Sequence, residues 1–216
     1  MFIEPLEIKV QDPTDFCMGC VISSIAEEYV HEPCDESYSF AAGKFASGED
    51  LLIRGINPRA GIQGAIDYGV LPKSKSPYSI ASHERGFLAD FKNWQELRKF
   101  AIFPFKSSRR IRGFDRIIEV LERERTSVMI GIYWQAGWNK TPYLDSIENF
   151  NRLEPHEVRA IGVQDGRIII QNSRGVDKGN AGLWHLGRGA AKAIGHAYVL
   201  SSKPKKSFLL NLIDNL

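Results

Sequence analysis

An α+β protein of two lobes, helical first and strand-rich later, is the fold class that this sequence predicts. Two observations carry the expectation. Stretches with helical period crowd the first third of the chain, and after about residue 125 the apolar pattern changes to short β-rich runs. Helices followed by strands argue against a βαβ sheet, and the chain has neither a GxGxxG nor a Walker glycine pattern. At 216 residues it has the size of one large domain or of two small lobes sharing a core.

Residues 1–14 read as an extended arm, alternating over Leu6-Glu7-Ile8-Lys9-Val10. Thr14 or Asp15 is placed to cap a helix that begins at about Phe16 and runs through Val21, Ile25 and Tyr29. A second helix fits Glu36 to Phe45. A third fits Pro58 to Tyr68, with Pro58 in its first turn and Gly69 as its stop. Residues 73–92, rich in Ser and Lys, read as loop. Asp115 to Glu124 is amphipathic, with Ile117, Val120 and Leu121 on one face. Val128 to Trp134 has the composition of a buried strand. Val158 to Val163 and Arg167 to Gln171 form a hairpin around Gln164-Asp165-Gly166. Gly182 to Leu186 and Ala197 to Leu200 complete the strands.

Charge is close to balance, with 28 Lys plus Arg against 26 Asp plus Glu and a formal charge of +2. That argues against nucleic acid or a membrane surface as partner. The basic cluster Lys106, Arg109, Arg110 and Arg112 reads as a solvated loop. No apolar run approaches the ~20 residues of a membrane helix. The opening MFIEPLEIKV lacks the pattern of a secretory signal. Cys17, Cys20 and Cys34 are an odd number crowded near the start, unlike a disulfide framework, so an intracellular, reducing setting is expected. Zinc does not fit either, because Cys17-x-x-Cys20 lacks a second close ligand pair.

Three residues carry chemistry. Cys17 opens the first helix, where unpaired N–H groups and the positive end of the dipole favour thiolate. His156 leads into a strand, and Asn172 follows the next one. A nucleophilic Cys needs a base to take its proton, and that base needs a third group to orient its ring. Cys20 is the competing nucleophile. It lies about a turn inside the helix, where N–H groups are already paired and the dipole's benefit fades. His31, His83, His185 and His196 read as satisfied or solvated side chains, and Cys20 and Cys34 as core residues.

These motifs resemble the papain-like cysteine peptidases, in their bacterial-type branch. His156-Glu-Val-Arg-Ala-Ile-Gly-Val, then Asn172-Ser-Arg-Gly and Gly179-Asn-Ala-Gly-Leu-Trp184, are similar to that family's H-A-V-x-x-V-G-Y, N-S-W-G and G-x-x-G-Y. Gly55 to Pro72 is similar to its Gly-rich loop, helix and "Y-G-V" exit, and Cys17-Met-Gly-Cys-Val to its C-x-G-[FY]-A form. The resemblance implies a two-lobe papain-like fold with the active site in the cleft, over residues 1–200. The helical lobe would span about 15–105, and the β lobe about 106–200 plus the arm.

It further implies a thiol endopeptidase that acts on polypeptides with no metal or cofactor. Cys17 would be the nucleophile, His156 the base, Asn172 the orienting group, and Gln11, six residues before Cys17, an oxyanion donor. Thr14, six before Cys20, has no amide to offer. Gly55 and Ile56 would pair with extended substrate. The sequence also departs from the family, because Arg174 and Lys178 stand where aromatics are usual and Glu157 replaces a small residue. Two cations there would lower the pKa of both thiol and imidazole and attract acidic substrate residues. A silent scaffold on the same fold and a transamidase are the rival readings. The tail 201–216, with Phe208, Leu209, Leu212, Ile213 and Leu216 behind Lys203-Pro-Lys-Lys206, is either a helix packed on the body or one offered to a protein partner.

Overall fold

The computed structural model describes residues 2–11, 15–49, 55–76, 94–147 and 153–203. The tail helix, His83, Thr14 and most of the Ser- and Lys-rich loop lie outside these residues. Helix α1 (Cys17–Val30) starts behind Phe16, which makes no side-chain cap. The Thr14 of the expected cap lies outside the described residues. Phe16 is instead buried against Phe40, with ring centroids 4.2 Å apart, so packing sets the start. Helix α2 (Glu36–Ser47) is capped by Asp35 and ends at Gly48 in the left-handed region. Helix α3 (Pro58–Asp67) has Pro58 in its first turn and Asn57 as its cap. A Cβ on Gly64 would lie 2.4 Å from the α2 backbone, so glycine permits the close α2–α3 crossing. Among the described residues two short helices follow, α4 (Trp94–Arg98) and α5 (Phe114–Glu119), the latter continued by a wider turn over Val120–Glu124.

Among the described residues seven strands form one sheet: β1 (Ser107–Ile111), β2 (Val128–Gln135), β3 (Tyr143–Leu144), β4 (Leu153–Gln164), β5 (Arg167–Gln171), β6 (Leu183–Leu186) and β7 (Ile194–Ser201). Their order is β1-β7-β2-β4-β5-β6-β3, antiparallel except for β3 beside β6. Asp165 and Gly166 both take positive φ in the β4–β5 turn, as a two-residue hairpin requires. Alternation along β2 divides the interior. Val128, Ile130, Ile132 and Trp134 join Val158, Ala160, Ile168, Ile170 and Ile117 in one core. Met129 joins Met18, Ile22 and Ile25 of α1 in another.

Two expectations are corrected. The basic cluster is no loop, because residues 107–111 pair with β7 as an edge strand whose Arg109 and Arg110 remain exposed. That placement suits charged side chains, which blunt sheet edges. His156 lies inside β4 and not ahead of it, since β2 keeps pairing with β4 back to Leu153. No described helix is long and apolar enough to cross a membrane.

Candidate active site

Helix α1 packs against β4, so the first turn of one meets the middle of the other. The Cys17 sulfur accepts hydrogen bonds from the backbone N–H groups of Glu157 and of Met18. The first contact places the thiol one residue from His156 along β4, and the second uses a helix-start donor that has no partner within its own helix. Burial nevertheless pushes the thiol up to about 11, against the two hydrogen bonds, and the Glu157 carboxylate raises it further. The lowered thiol pKa expected from Arg174 and Lys178 is therefore not what this site gives. Cys20 and Cys34 are fully buried, and burial raises both thiols, Cys34 to about 12. The Cys20 N–H is spent on the Phe16 carbonyl at 2.9 Å.

His156, itself buried, holds Asn172 at 2.6 Å from Nε2 to Oδ1. The same Oδ1 accepts from the Ser173 N–H at 2.8 Å. A backbone N–H can only donate, so the atom facing it is the amide oxygen, and Nε2 must carry a proton to reach that oxygen. Nδ1 is then the basic nitrogen of the neutral ring. Trp134 stands edge-on to the imidazole with centroids 5.6 Å apart, and it packs in the same way on Trp138 and Trp184.

Gln11 is brought to the same place by the arm. Its N–H donates to the Ser173 carbonyl at 2.9 Å, and its Oε1 accepts from the Ser173 hydroxyl. With the oxygen turned to Ser173, the amide nitrogen is the opposite end of the group. The arm is anchored by Lys9, buried 2.8 Å from Glu27 of α1 and also from the Cys34 carbonyl, with Glu36 of α2 at 3.5 Å. Burial lowers the Lys9 pKa, but the Glu27, Glu36 and Glu7 carboxylates outweigh it and hold the ammonium charged.

The remaining candidates are less central. Arg174 lies over Trp134, its guanidinium carbon 6.0 Å from the ring centroid, so an arginine on a neighbouring tryptophan stands where an aromatic was expected. Lys178 is exposed and paired with Asp177 at 3.2 Å, which weakens its field at the site. Ile56 packs on Phe16, Cys20 and Phe40, near the start of α1. Gly55 takes positive φ, and the space where a side chain would lie is open. Sequence reasoning assigned no role to Ser173, Trp134, Lys9 or His196, and only Ser173 lay within a motif that signalled the site. Among the described residues, no group of three or more His, Cys, Asp or Glu side chains could hold a metal ion.

No protein-family profile and no curated protein matches the sequence. Solved structures do match. Xylellain, a cysteine protease from Xylella fastidiosa, is 15% identical, with a TM-score of 0.75 over 94% of this chain and 85% of that one. The Carica candamarcensis cysteine protease CMS1MS2 is 14% identical at a TM-score of 0.68, covering 94% of both chains. The bromelain protease from Ananas comosus is 16% identical at 0.66, covering 91% of this chain and 94% of that one. At such identities the likeness shows the fold, which is papain-like.

Proposed function

We propose that the chain is a cysteine peptidase with Cys17 as nucleophile, His156 as base and Asn172 as the group that orients the ring. The observation that carries this reading is the 2.6 Å contact between His156 and Asn172, made beside a thiol that opens a helix. Cys17 gives its proton to His156 and attacks a peptide carbonyl. His156 then protonates the leaving amine, and water releases the acyl-enzyme. The Gln11 amide and the Cys17 N–H take the oxyanion, each such donor being worth about 2.7–4 kcal/mol. Asn172 fixes the tautomer that leaves Nδ1 to carry the proton.

One observation favours a silent binding protein on the same fold: burial and Glu157 push the Cys17 thiol up to about 11. Digestion of a proteome-derived peptide library by wild type and Cys17→Ala, read by mass spectrometry, separates the readings. New termini made only by wild type support the peptidase. Isopeptide or amine adducts indicate acyl transfer, and no change in the library indicates the silent protein.

A further inference from the structure

Strand β4 buries two charged side chains just beyond His156. Glu157 meets His196 of β7 across Gly131 of β2, which pairs with both, and His196 Nε2 lies 2.8 Å from Glu157 Oε1. Arg159 turns to other elements. It is 1% exposed, and each of Nε, Nη1 and Nη2 has its own acceptor. Nε donates to the Ser127 hydroxyl ahead of β2 at 2.9 Å, Nη1 to Gln171 Oε1 of β5 at 2.9 Å, and Nη2 to Glu28 Oε1 of α1 at 2.8 Å. Gln171 passes the connection on, since its amide nitrogen donates to the Glu7 carbonyl of the arm at 2.8 Å.

These contacts reach every element that carries a member of the candidate site. Cys17 opens α1, His156 lies three residues before Arg159, Asn172 directly follows Gln171, and Gln11 lies four residues along the arm from Glu7. Arg159 with Gln171 is also the last pair of the β4–β5 ladder on the side of His156 and Asn172. Beyond it the Asn172 N–H turns to the Gly182 carbonyl instead, at 3.2 Å. The guanidinium thus braces the two strands where their ladder stops. A planar fork of fixed directions suits that task, whereas a lysine would offer a single point charge. Stability is the weaker reason for a charge here. Exchanging a buried ion pair for apolar side chains of like volume is often neutral or stabilising.

We propose that Arg159 is a positioning residue, which holds α1, the arm and β5 against β4 so that Asn172 meets His156 beside Cys17. Its effect on catalysis rests on the peptidase reading, whereas its effect on the imidazole does not.

The full chain is compared with Arg159→Lys, with Gln171→Met, and with Leu144→Ala, a core truncation on the edge strand β3. Two quantities are read: kcat and KM on a peptide from the library digestion, and the His156 tautomer from long-range ¹H–¹⁵N NMR at a pH where the ring is neutral. The wild-type ring should carry its proton on Nε2 alone. Arg159→Lys and Gln171→Met should each mix the two tautomers and lower kcat about ten-fold with KM little changed, as a misplaced reacting group does. Their double variant should be no worse than the poorer single one, because both break the same connection. Gln171→Met leaves every buried charge in place, so it carries the test if Arg159→Lys fails to fold. Leu144→Ala should lose thermal stability and keep both the tautomer and kcat. An equal kcat loss in Leu144→Ala, losses that multiply in the double variant, or an unchanged tautomer in both single variants overturns the proposal.

Mixed tautomers in the variants, with no cleavage by any protein including wild type, uphold Arg159 and sink the peptidase. Equal cleavage by wild type and Arg159→Lys, with one tautomer in both, does the reverse.

Discussion

Asn172 holds His156 through an oxygen that it also shares with the Ser173 backbone, at 2.6 Å and 2.8 Å. The second donor prevents the amide from flipping, so the imidazole is held in one tautomer. Removing the oxygen releases the ring. Asn172→Ala should lower kcat/KM about a hundred-fold, the usual consequence of misplacing a reacting group. Steady-state kinetics on a cleaved peptide check this, and an unchanged kcat/KM would remove Asn172 from the mechanism.

The arm is expected to behave as part of the site. Lys9→Ala leaves Glu27 and Glu36 buried with their main counter-charge gone, and breaking a buried pair in this way costs about 3–5 kcal/mol. Urea unfolding should show that loss. Gln11→Ala should cost about 1–3 kcal/mol, because the buried Ser173 hydroxyl loses its acceptor, and should reduce kcat about a hundred-fold in the folded protein, through a lost oxyanion donor. A Gln11→Ala protein with full kcat would assign the amide to structure alone.

A pH dependence follows from the thiol. Its pKa is raised to about 11 by burial first, against its two hydrogen bonds, with the Glu157 carboxylate adding to the rise. Thiolate therefore grows as pH rises toward that value, and iodoacetamide should modify Cys17 faster at pH 9 than at pH 7. Cys20 and Cys34 should lag throughout, being buried with thiols that are higher still or inaccessible. Taking away the negative charge lowers the thiol pKa, so Glu157→Gln should speed labelling at pH 8. A slower rate would show that Glu157 acts on Cys17 in some way other than by its charge.

Gly131→Ala should destabilise the protein by about 1–3 kcal/mol, as overpacking does, because the new methyl falls within the His196 ring. Combining it with His196→Ala should recover most of the loss. Additive destabilisation in the pair would mean that the clash lies elsewhere.

Much of this was legible in the sequence, and the exceptions share a cause. Strand β5 spans the residues its β-branched run indicates, α2 starts at Glu36 as its pattern indicates, and α3 starts at the Pro58 that marks its first turn. Cys17, His156 and Asn172 could be singled out by their order and spacing along the chain, and Gln11 by the family resemblance. Strand β1 was hidden because an edge strand with both arginines in solvent has the composition of a loop. Lys9 looked like the outward residue of an alternating arm, since its carboxylate partners come from two helices. The Glu157–His196 contact depends on the register of three strands across a glycine. No local pattern encodes that.

The central claim is that Cys17 carries the acyl group, and trapping tests it most directly. The protein would be mixed with an activated ester of a short peptide, quenched in acid during turnover, and digested for mass spectrometry. The account predicts one acyl mass on the fragment that begins the first helix, located at Cys17 and absent from Cys17→Ala. An adduct on Cys20, or none while the ester is consumed at the same rate by Cys17→Ala, would contradict it.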